Sequence, residues 1–498
     1  MGVRLSFVEL PQSVVPCRNL VGGEWRVPQG AQLLDVRSPY TGTVIGRVPL
    51  TSAAGVAEVV EAARAAAPQW AATSLRERTQ LLFRFRYLLE QHLSRLSNLA
   101  ASEAGKTVAE ARAGLLKGIE VCEFALSLQN LDSGAHMEVS RGVTCELRRE
   151  PLGVVAGVTP FNFPAMVPMW MFPIAVTLGN VFIHKPSEKV PLTACALGEL
   201  MLEAGYPPGV FSIVHGGKEA VDALVAHEDV KALAFVGSSA VARHLYAEGS
   251  KRGKRVLALG GAKNHLIVAP DADPELTAQA VVDSFTGCAG QRCMAGSVVL
   301  AVGNVESLLA DIVRRAGSIE VGPGMGAIID KGAVDRLETA IDKAASEGAR
   351  LALDGRGRRP KGDTWAGGNW LGPSILDQVR PDMEAARREL FGPVLSIIRV
   401  PTLSAALAVE NASPYGNAAS IFTTSGMVAQ TVVEGVRAGM VGVNVGVPVP
   451  REPFSFGGTG ESRFGHGDIT GPSGLDFWTQ LKKVTRKWSA RTDGSWMS

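Results

Sequence analysis

The sequence predicts an α/β protein built from two parallel-sheet units and a small β arm. Three observations carry that prediction. From residue 150 onward, short apolar runs alternate with helical stretches, the rhythm of a parallel sheet with helices on both faces. The rhythm restarts after Cys293, which marks a second unit joined to the first near residue 260. A chain of 498 residues is also too long for one core.

Residues 1–50 hold turns and strand-like pieces, among them Asn19-Leu-Val-Gly-Gly-Glu-Trp25 and Asp35-Val-Arg-Ser-Pro-Tyr-Thr-Gly42. Leu81, Leu82, Phe85, Leu88, Leu89, Leu93 and Leu96 then recur at helical spacing, with Gly105 as the stop. Residues 143–149 alternate in the manner of an exposed strand. Strands are expected at Val154–Val158, Val181–His184, Phe211–Val214, Ala232–Val236 and His265–Val268. Helices are expected between them at Ala165–Leu178, Leu192–Ala204, Glu219–Ala226 and Ser239–Ala247. The second unit supplies Ser297–Val302, Val394–Val400, Ser420–Phe422 and Gly442–Val445. The tail Phe477–Thr485 reads as an edge strand that pairs with 143–149, within one chain or across subunits.

Composition narrows the function. Fifty basic against 48 acidic side chains leave a net +2, which points away from nucleic acid. The basic run Arg356–Lys361 sits among Gly and Pro and reads as a solvated loop. Six cysteines without CxxC spacing fit a reducing compartment and argue against a disulfide framework or a zinc site. Met1–Ser6 matches a myristoylation pattern, but no polybasic second signal follows. The uncharged stretch Val154–Ile183 is long enough to span a bilayer. Four prolines interrupt it, and Asn162 and Asn180 are polar, so it reads as a buried helix between core strands. The expectation is a soluble, cytoplasmic protein with no membrane partner.

Cys293 is the residue with chemical promise. It lies in Phe285-Thr-Gly-Cys-Ala-Gly-Gln-Arg-Cys-Met-Ala-Gly296, where small neighbours admit a substrate and Arg292 favours the thiolate. A buried, inert thiol explains the same letters equally well. No GxGxxG is present, yet the strand 181–184 runs into Lys185-Pro-Ser-Glu188 at the edge where parallel sheets bind ligands. Glu188 there suits ribose hydroxyls and repels a 2′-phosphate, favouring NAD over NADP; alternatively it is a surface cap. Gly237 and Ser238 open a helix and suit a phosphate, or Ser238 is an ordinary N-cap. Asn162 either braces a turn or aims its NH₂ at an oxyanion beside Cys293. Glu389 either ends a helix or reaches a second ribose.

Read together, Pro160-Phe-Asn162, Lys185–Glu188, Phe235-Val-Gly-Ser238, the cysteine loop, Glu389-Leu-Phe-Gly-Pro393 and Ser455-Phe-Gly-Gly458 resemble the aldehyde dehydrogenase superfamily from about residue 20 to 488. Gly290–Ala295, Gly261–His265, Pro164–Pro173 and Gly439–Asn444 further resemble its CoA-acylating, methylmalonate-semialdehyde dehydrogenase branch. Hydrolytic members carry a water-activating glutamate two residues before the Gly-Gly of the 257–262 segment; Ala258 stands there instead.

The resemblance implies an aldehyde-dehydrogenase-like fold. Its NAD-binding domain would span 1–132 and 150–261, its catalytic domain 262–446, and its oligomerisation arm 133–149 and 471–490. It implies Cys293 as nucleophile and Asn162 as oxyanion donor. Thr159, Phe161, Lys185, Glu188, Lys189, Gly237, Ser238, Gly260, Glu389 and Phe391 would hold NAD. Arg292 and Lys117 would bind a substrate carboxylate, Lys117 standing where the family usually has arginine. Partners would be a small aldehyde, CoA as co-substrate and further copies of the chain, a dimer or a tetramer, with no metal. The products would be propionyl-CoA or acetyl-CoA with CO₂. The alternative is a hydrolytic, NAD-dependent enzyme releasing a free acid. Gly458-Thr-Gly-Glu-Ser-Arg-Phe464 lacks the tryptophan the family places after Gly-Gly.

Overall fold

The computed structural model describes residues 3–4, 7–131 and 134–488. Most of the myristoylation pattern (residues 1, 2, 5 and 6), residues 132–133, and residues 489–490 of the expected arm lie outside the described residues.

The first sheet has eight strands. Five parallel ones form its centre, in the order Arg255–Leu259, Val230–Val236, Val154–Val158, Val181–Lys185 and Phe211–Ile213. Antiparallel edges flank them, Arg463–Phe464 on one side and Asn19–Val21 with Glu24–Arg26 on the other. Every residue of 154–158 and 181–185 is buried, which is why 154–158 and 181–183 read as continuous apolar runs rather than alternating ones. The second sheet has seven strands, in the order Arg350–Leu353, Ser374–Asp377, Val394–Val400, Gly296–Val302, Asn264–Val268, Ala418–Phe422 and Met440–Val443. Only the first of these runs antiparallel. The expected 265–268 strand thus belongs here and not with the first sheet, whose last parallel strand is Arg255–Leu259. Two buried apolar strands separated by Gly260-Gly261 look alike in sequence; which sheet each joins is decided by long-range pairing.

The charge-free stretch is a core segment. Its helix, Met166–Thr177, is buried from Val167 onward and packs against helix Val108–Leu131. Gly118 permits the approach, since a Cβ there would overlap the Met169 side chain. Phe172 meets Phe85, Phe182 and Phe211 around this contact. No helix among the described residues is long and apolar enough to cross a membrane. The leucine pattern covers two helices, Leu75–Gln91 and Leu93–Ala104, and Gly105 ends the second in a left-handed conformation.

The arm is a three-stranded antiparallel sheet of Ala135–Ser140, Val143–Pro151 and Thr479–Lys487. The tail pairs with 143–151 of its own chain, from Thr479↔Pro151 to Lys487↔Val143. Phe477 and Trp478, read as strand from the sequence, instead end the helix Gly471–Trp478, because Trp478 is buried against Phe182. Asn180 holds this junction. Its Oδ1 accepts from the backbone N–H of Leu152 and Gly153, and its Nδ2 donates to the carbonyls of Ala175 and Trp478. Asn180→Ala leaves several of those groups buried without partners and is expected to cost about 3 kcal/mol. The loss should appear as a lower Tm and faster amide exchange across 479–487.

Candidate active site

Helix Pro274–Thr286 starts at Asp273, whose side chain accepts from Leu276 N–H, and ends in a tight turn, Gly287–Gly290. Cys288, Ala289 and Gly290 are consecutively left-handed, with φ of 53°, 51° and 69°. For the two non-glycine residues this costs on the order of 1–2 kcal/mol each. Glu110 helps to hold the turn by accepting the Cys288 N–H at 2.6 Å. Gln291 then pins the loop to a neighbouring segment, donating to Ala327 O at 3.2 Å and accepting from Ile329 N at 3.0 Å.

Cys293 follows, and its carbonyl accepts two amide donors, Asn264 Nδ2 at 2.7 Å and Asn417 Nδ2 at 2.9 Å. The Asn264 side chain also donates to Ala295 O and accepts from Ala418 N, so one amide joins the loop to two strands. Sequence reasoning missed Asn417, which sits in no recognisable motif. Asn264 was inside a quoted segment, but nothing local showed that it would clamp the loop.

Cys293 is partly exposed and borders two cavities. One, of about 490 Å³, has apolar walls that include Phe163, Met166, Trp170 and Phe456, and also receives Arg292 and Lys117. The other, of about 290 Å³, brings Phe161, Asn162, Gly237, Ser238, Gly260, Glu389 and Phe391 to the same sulfur. Thr159, Lys185, Glu188 and Lys189 lie outside that cavity, along the first sheet's carboxyl edge.

The thiol is pushed up to about 12, first by burial and then by the Glu389 carboxylate; Arg292 pulls the other way and loses. Arg292 favours the thiolate, as expected, but burial and Glu389 outweigh it. Its Nη2 donates to Asp283 O and to Ser284 O (3.0 Å), at the end of the helix before the loop, while its Nε is buried without a partner. Asn162 is partly a brace, since Nδ2 donates to Gln291 O at 3.0 Å. Its second N–H remains for the cavity, and its Oδ1 is buried without a partner.

The other expected contacts sort by what already occupies them. Ser238 precedes helix Ser239–Lys251 but makes no side-chain cap, which leaves its hydroxyl and the helix N-terminus free. A Cβ on Gly237 would overlap the Phe235 ring, and one on Gly260 would overlap Glu461 O. Lys185 is buried, its pKa lowered by desolvation, with Nζ 3.5 Å from Glu188 Oε2. Thr159 Oγ1 lies 2.9 Å from His184 Nε2. Lys189 pairs with Asp330 at 2.5 Å and lies 5.6 Å from the Phe161 ring centroid; that ring meets Phe391 edge-on. Glu389 accepts from Ala262 N at 3.0 Å, and burial raises it to about 7.

In the larger cavity Lys117 pairs with Glu120 at 3.1 Å. Arg451, which no sequence signal marked, lines the same space and reaches Glu120 at 3.3 Å. Ala258 is wholly buried in its strand, opposite Phe235 and Phe464. Among the described residues no group of three or more His, Cys, Asp or Glu side chains is placed to hold a metal ion.

A thiol held where a parallel-sheet cleft meets an apolar cavity defines a class of cysteine-bearing oxidoreductase. The chain belongs to the aldehyde dehydrogenase family, whose model matches residues 25–484. It is 43% identical over 485 residues to malonate-semialdehyde dehydrogenase of Pseudomonas aeruginosa, covering 95% of this chain and 96% of that one. It is 40% identical over 483 residues to the acylating methylmalonate-semialdehyde/malonate-semialdehyde dehydrogenase of Rattus norvegicus mitochondria, covering 96% and 90%. Among solved structures it resembles methylmalonate-semialdehyde dehydrogenase of Oceanimonas doudoroffii, with TM-score 0.94, 38% identity and coverage of 96% and 99%. The same values describe a Sinorhizobium meliloti protein solved with NAD and provisionally assigned that activity.

With the Cys293 thiol raised to about 12, its alkylation by iodoacetamide in the ligand-free protein should climb about tenfold per pH unit from about pH 7 to 9, without a plateau. Inactivation kinetics measure this; a plateau near neutrality would mean a resting thiolate.

Proposed function

We propose that this protein catalyses NAD-dependent, CoA-acylating oxidation of malonate or methylmalonate semialdehyde, giving acetyl-CoA or propionyl-CoA with loss of CO₂. The observation that carries the reading is Cys293 at the meeting of two unlike cavities, in a chain about 40% identical to enzymes named for that reaction. The unused Ser238 hydroxyl, the glycine backbones at 237 and 260, and the carboxylates of Glu188 and Glu389 suit a dinucleotide's phosphates and riboses. Thr159, Phe161, Lys185, Lys189 and Phe391 would complete that contact. Bound there, NAD supplies the hydride acceptor.

With its proton released to solvent, the Cys293 sulfur attacks the aldehyde carbon as thiolate, and the negative oxygen takes hydrogen bonds from the free Asn162 N–H and the Cys293 backbone N–H. The Asn264 and Asn417 clamps on the Cys293 carbonyl keep that backbone from turning away. Loss of hydride leaves an acyl thioester on Cys293. A carboxylate β to the thioester carbonyl departs as CO₂, the same two donors stabilise the enolate, and its α carbon then takes up a proton from solvent. CoA thiolate displaces Cys293 from the resulting acetyl or propionyl thioester. Arg292 and Lys117, opening on the larger cavity, meet the substrate carboxylate.

The 1–132, 150–261 and 262–446 segments serve as cofactor-holding and catalytic domains, and the arm joins copies of the chain into a dimer or tetramer. Ala135–Ser140 supports this: it is exposed throughout, with Met137 at 66% and Val139 at 52%, and it pairs on one side only. Cysteine usage favours the cytoplasm. A hydrolytic reading draws on one observation, the Glu389 carboxyl near 7 in the Cys293 cavity, where it might be thought to activate water. Its hydrogen bond to Ala262 and the apolar residue at 258 favour thiol transfer instead.

Product analysis with malonate semialdehyde separates the two readings. Acyl-CoA and NADH should form together, and omitting CoA should leave turnover slow. Full-speed oxidation to free acid without CoA would overturn the acylating assignment. Cys293→Ala should abolish NADH formation while NAD still binds. Lys117→Ala should raise KM for the semialdehyde about tenfold, the worth of one charge-assisted contact, and leave propanal unchanged. Equal effects on both substrates would remove Lys117 from the carboxylate site.

A further inference from the structure

Away from Cys293, a second sulfur lies beside an imidazole and another thiol. Cys195 lies on helix Pro191–Glu203 and is partly exposed. Its Sγ is 3.5 Å from His215 Nε2. Cys17 is buried in the small cluster of Val36, Ile45, Val48 and Leu192, against which Cys195 packs.

The imidazole is fixed. The His215 backbone N–H donates to Asn19 Oδ1 at 2.9 Å, and its carbonyl accepts from Thr51 N at 3.3 Å. His215 Nδ1 is buried with no partner, so the neutral ring is best served with its proton on Nε2, directed at the sulfur. The helix is fixed too. Glu103, wholly buried, accepts Leu192 N and Thr193 N at 2.8 Å each, two unpaired donors of the first turn. The Cys17 thiol and the His215 ring lower the Cys195 pKa well below that of an ordinary thiol against the opposing effect of burial, and Cys17 is in turn pushed up.

We propose that Cys195 is a peroxide-reactive thiolate and that Cys17 resolves it to a reversible disulfide. The Cys195 thiolate attacks one peroxide oxygen; the O–O bond breaks and leaves hydroxide and a sulfenic acid. The Cys17 sulfur then attacks Cys195, forming S–S and breaking S–O, and its proton leaves with the hydroxyl group as water. Two thiols and one hydrogen peroxide become one disulfide and two waters, the sulfurs losing two electrons and the peroxide gaining them. The bond staples the residue after strand Val15–Pro16 to the helix that follows Lys185–Glu188. Nothing in this depends on the reaction proposed for Cys293.

The test is peptide mapping of the full-length protein after stoichiometric hydrogen peroxide and alkylation, without reductant. A linked Cys17–Cys195 peptide should appear, two hydrogens lighter than the separate peptides, and dithiothreitol should reverse it. In Cys17→Ser, Cys195 should instead be captured by dimedone as sulfenic acid. In the untreated native protein, Cys195 should alkylate near neutral pH at least about tenfold faster than the partly exposed Cys145. His215→Gln should slow it. Absence of the linked peptide at doses that oxidise Cys195, or alkylation of Cys195 no faster than that of Cys145, overturns the proposal.

Discussion

The site depends on two side-chain amides sharing one carbonyl. Asn264 and Asn417 come from distant parts of the chain, and both donate to Cys293 O. A buried backbone carbonyl needs a partner, and here the partners are rooted on strand Asn264–Val268 and on the residue just before strand Ala418–Phe422. The cysteine loop is thereby locked to a parallel sheet, the most rigid support available to it. Upstream of that anchorage, Gln291 and Glu110 hold the left-handed turn at Cys288–Gly290.

The same packing that orients the sulfur also suppresses its charge. Apolar walls leave little solvent to stabilise a thiolate, and the only carboxylate lining the smaller cavity, Glu389, adds repulsion. Arg292 opposes this without reversing it. Cys293 is therefore a protected thiol at rest, whose activation has to accompany the filling of its cavities. Cys195 has the opposite balance, because the Cys17 thiol and the His215 ring outweigh the burial of its sulfur.

Placement of acids divides the labour between the two cavities. Position 258 is hydrocarbon inside a strand, so no carboxylate is offered from that side. Glu110 and Glu389, which line the two cavities, are each already accepting a backbone N–H. The cations gather in the larger cavity, where Glu120 ties Lys117 and Arg451 together and limits how far either can reach without rearrangement. Asn180 does comparable work at the arm, joining tail, helix and first sheet through four hydrogen bonds.

Much of this was legible in the letters. Buried parallel strands are predominantly apolar, so 154–158 and 394–400 appear with their observed ends. Motif residues at sheet edges, among them Asn162, Ser238, Cys293 and Glu389, were identifiable because local chemistry and chain order are both sequence properties. The neighbours that 265–268 takes within its sheet were not, since hydrogen bonding between strands far apart in sequence leaves no periodic mark. Nor were the Asn417 clamp, the presence of Arg451 in the cavity, or the protonated state of Cys293. Each is set by which groups become neighbours and how much water they lose. Sequence alone determined the elements and the reactive vocabulary; tertiary structure decided charge and partnership, because desolvation and contact exist only once the chain has closed on itself.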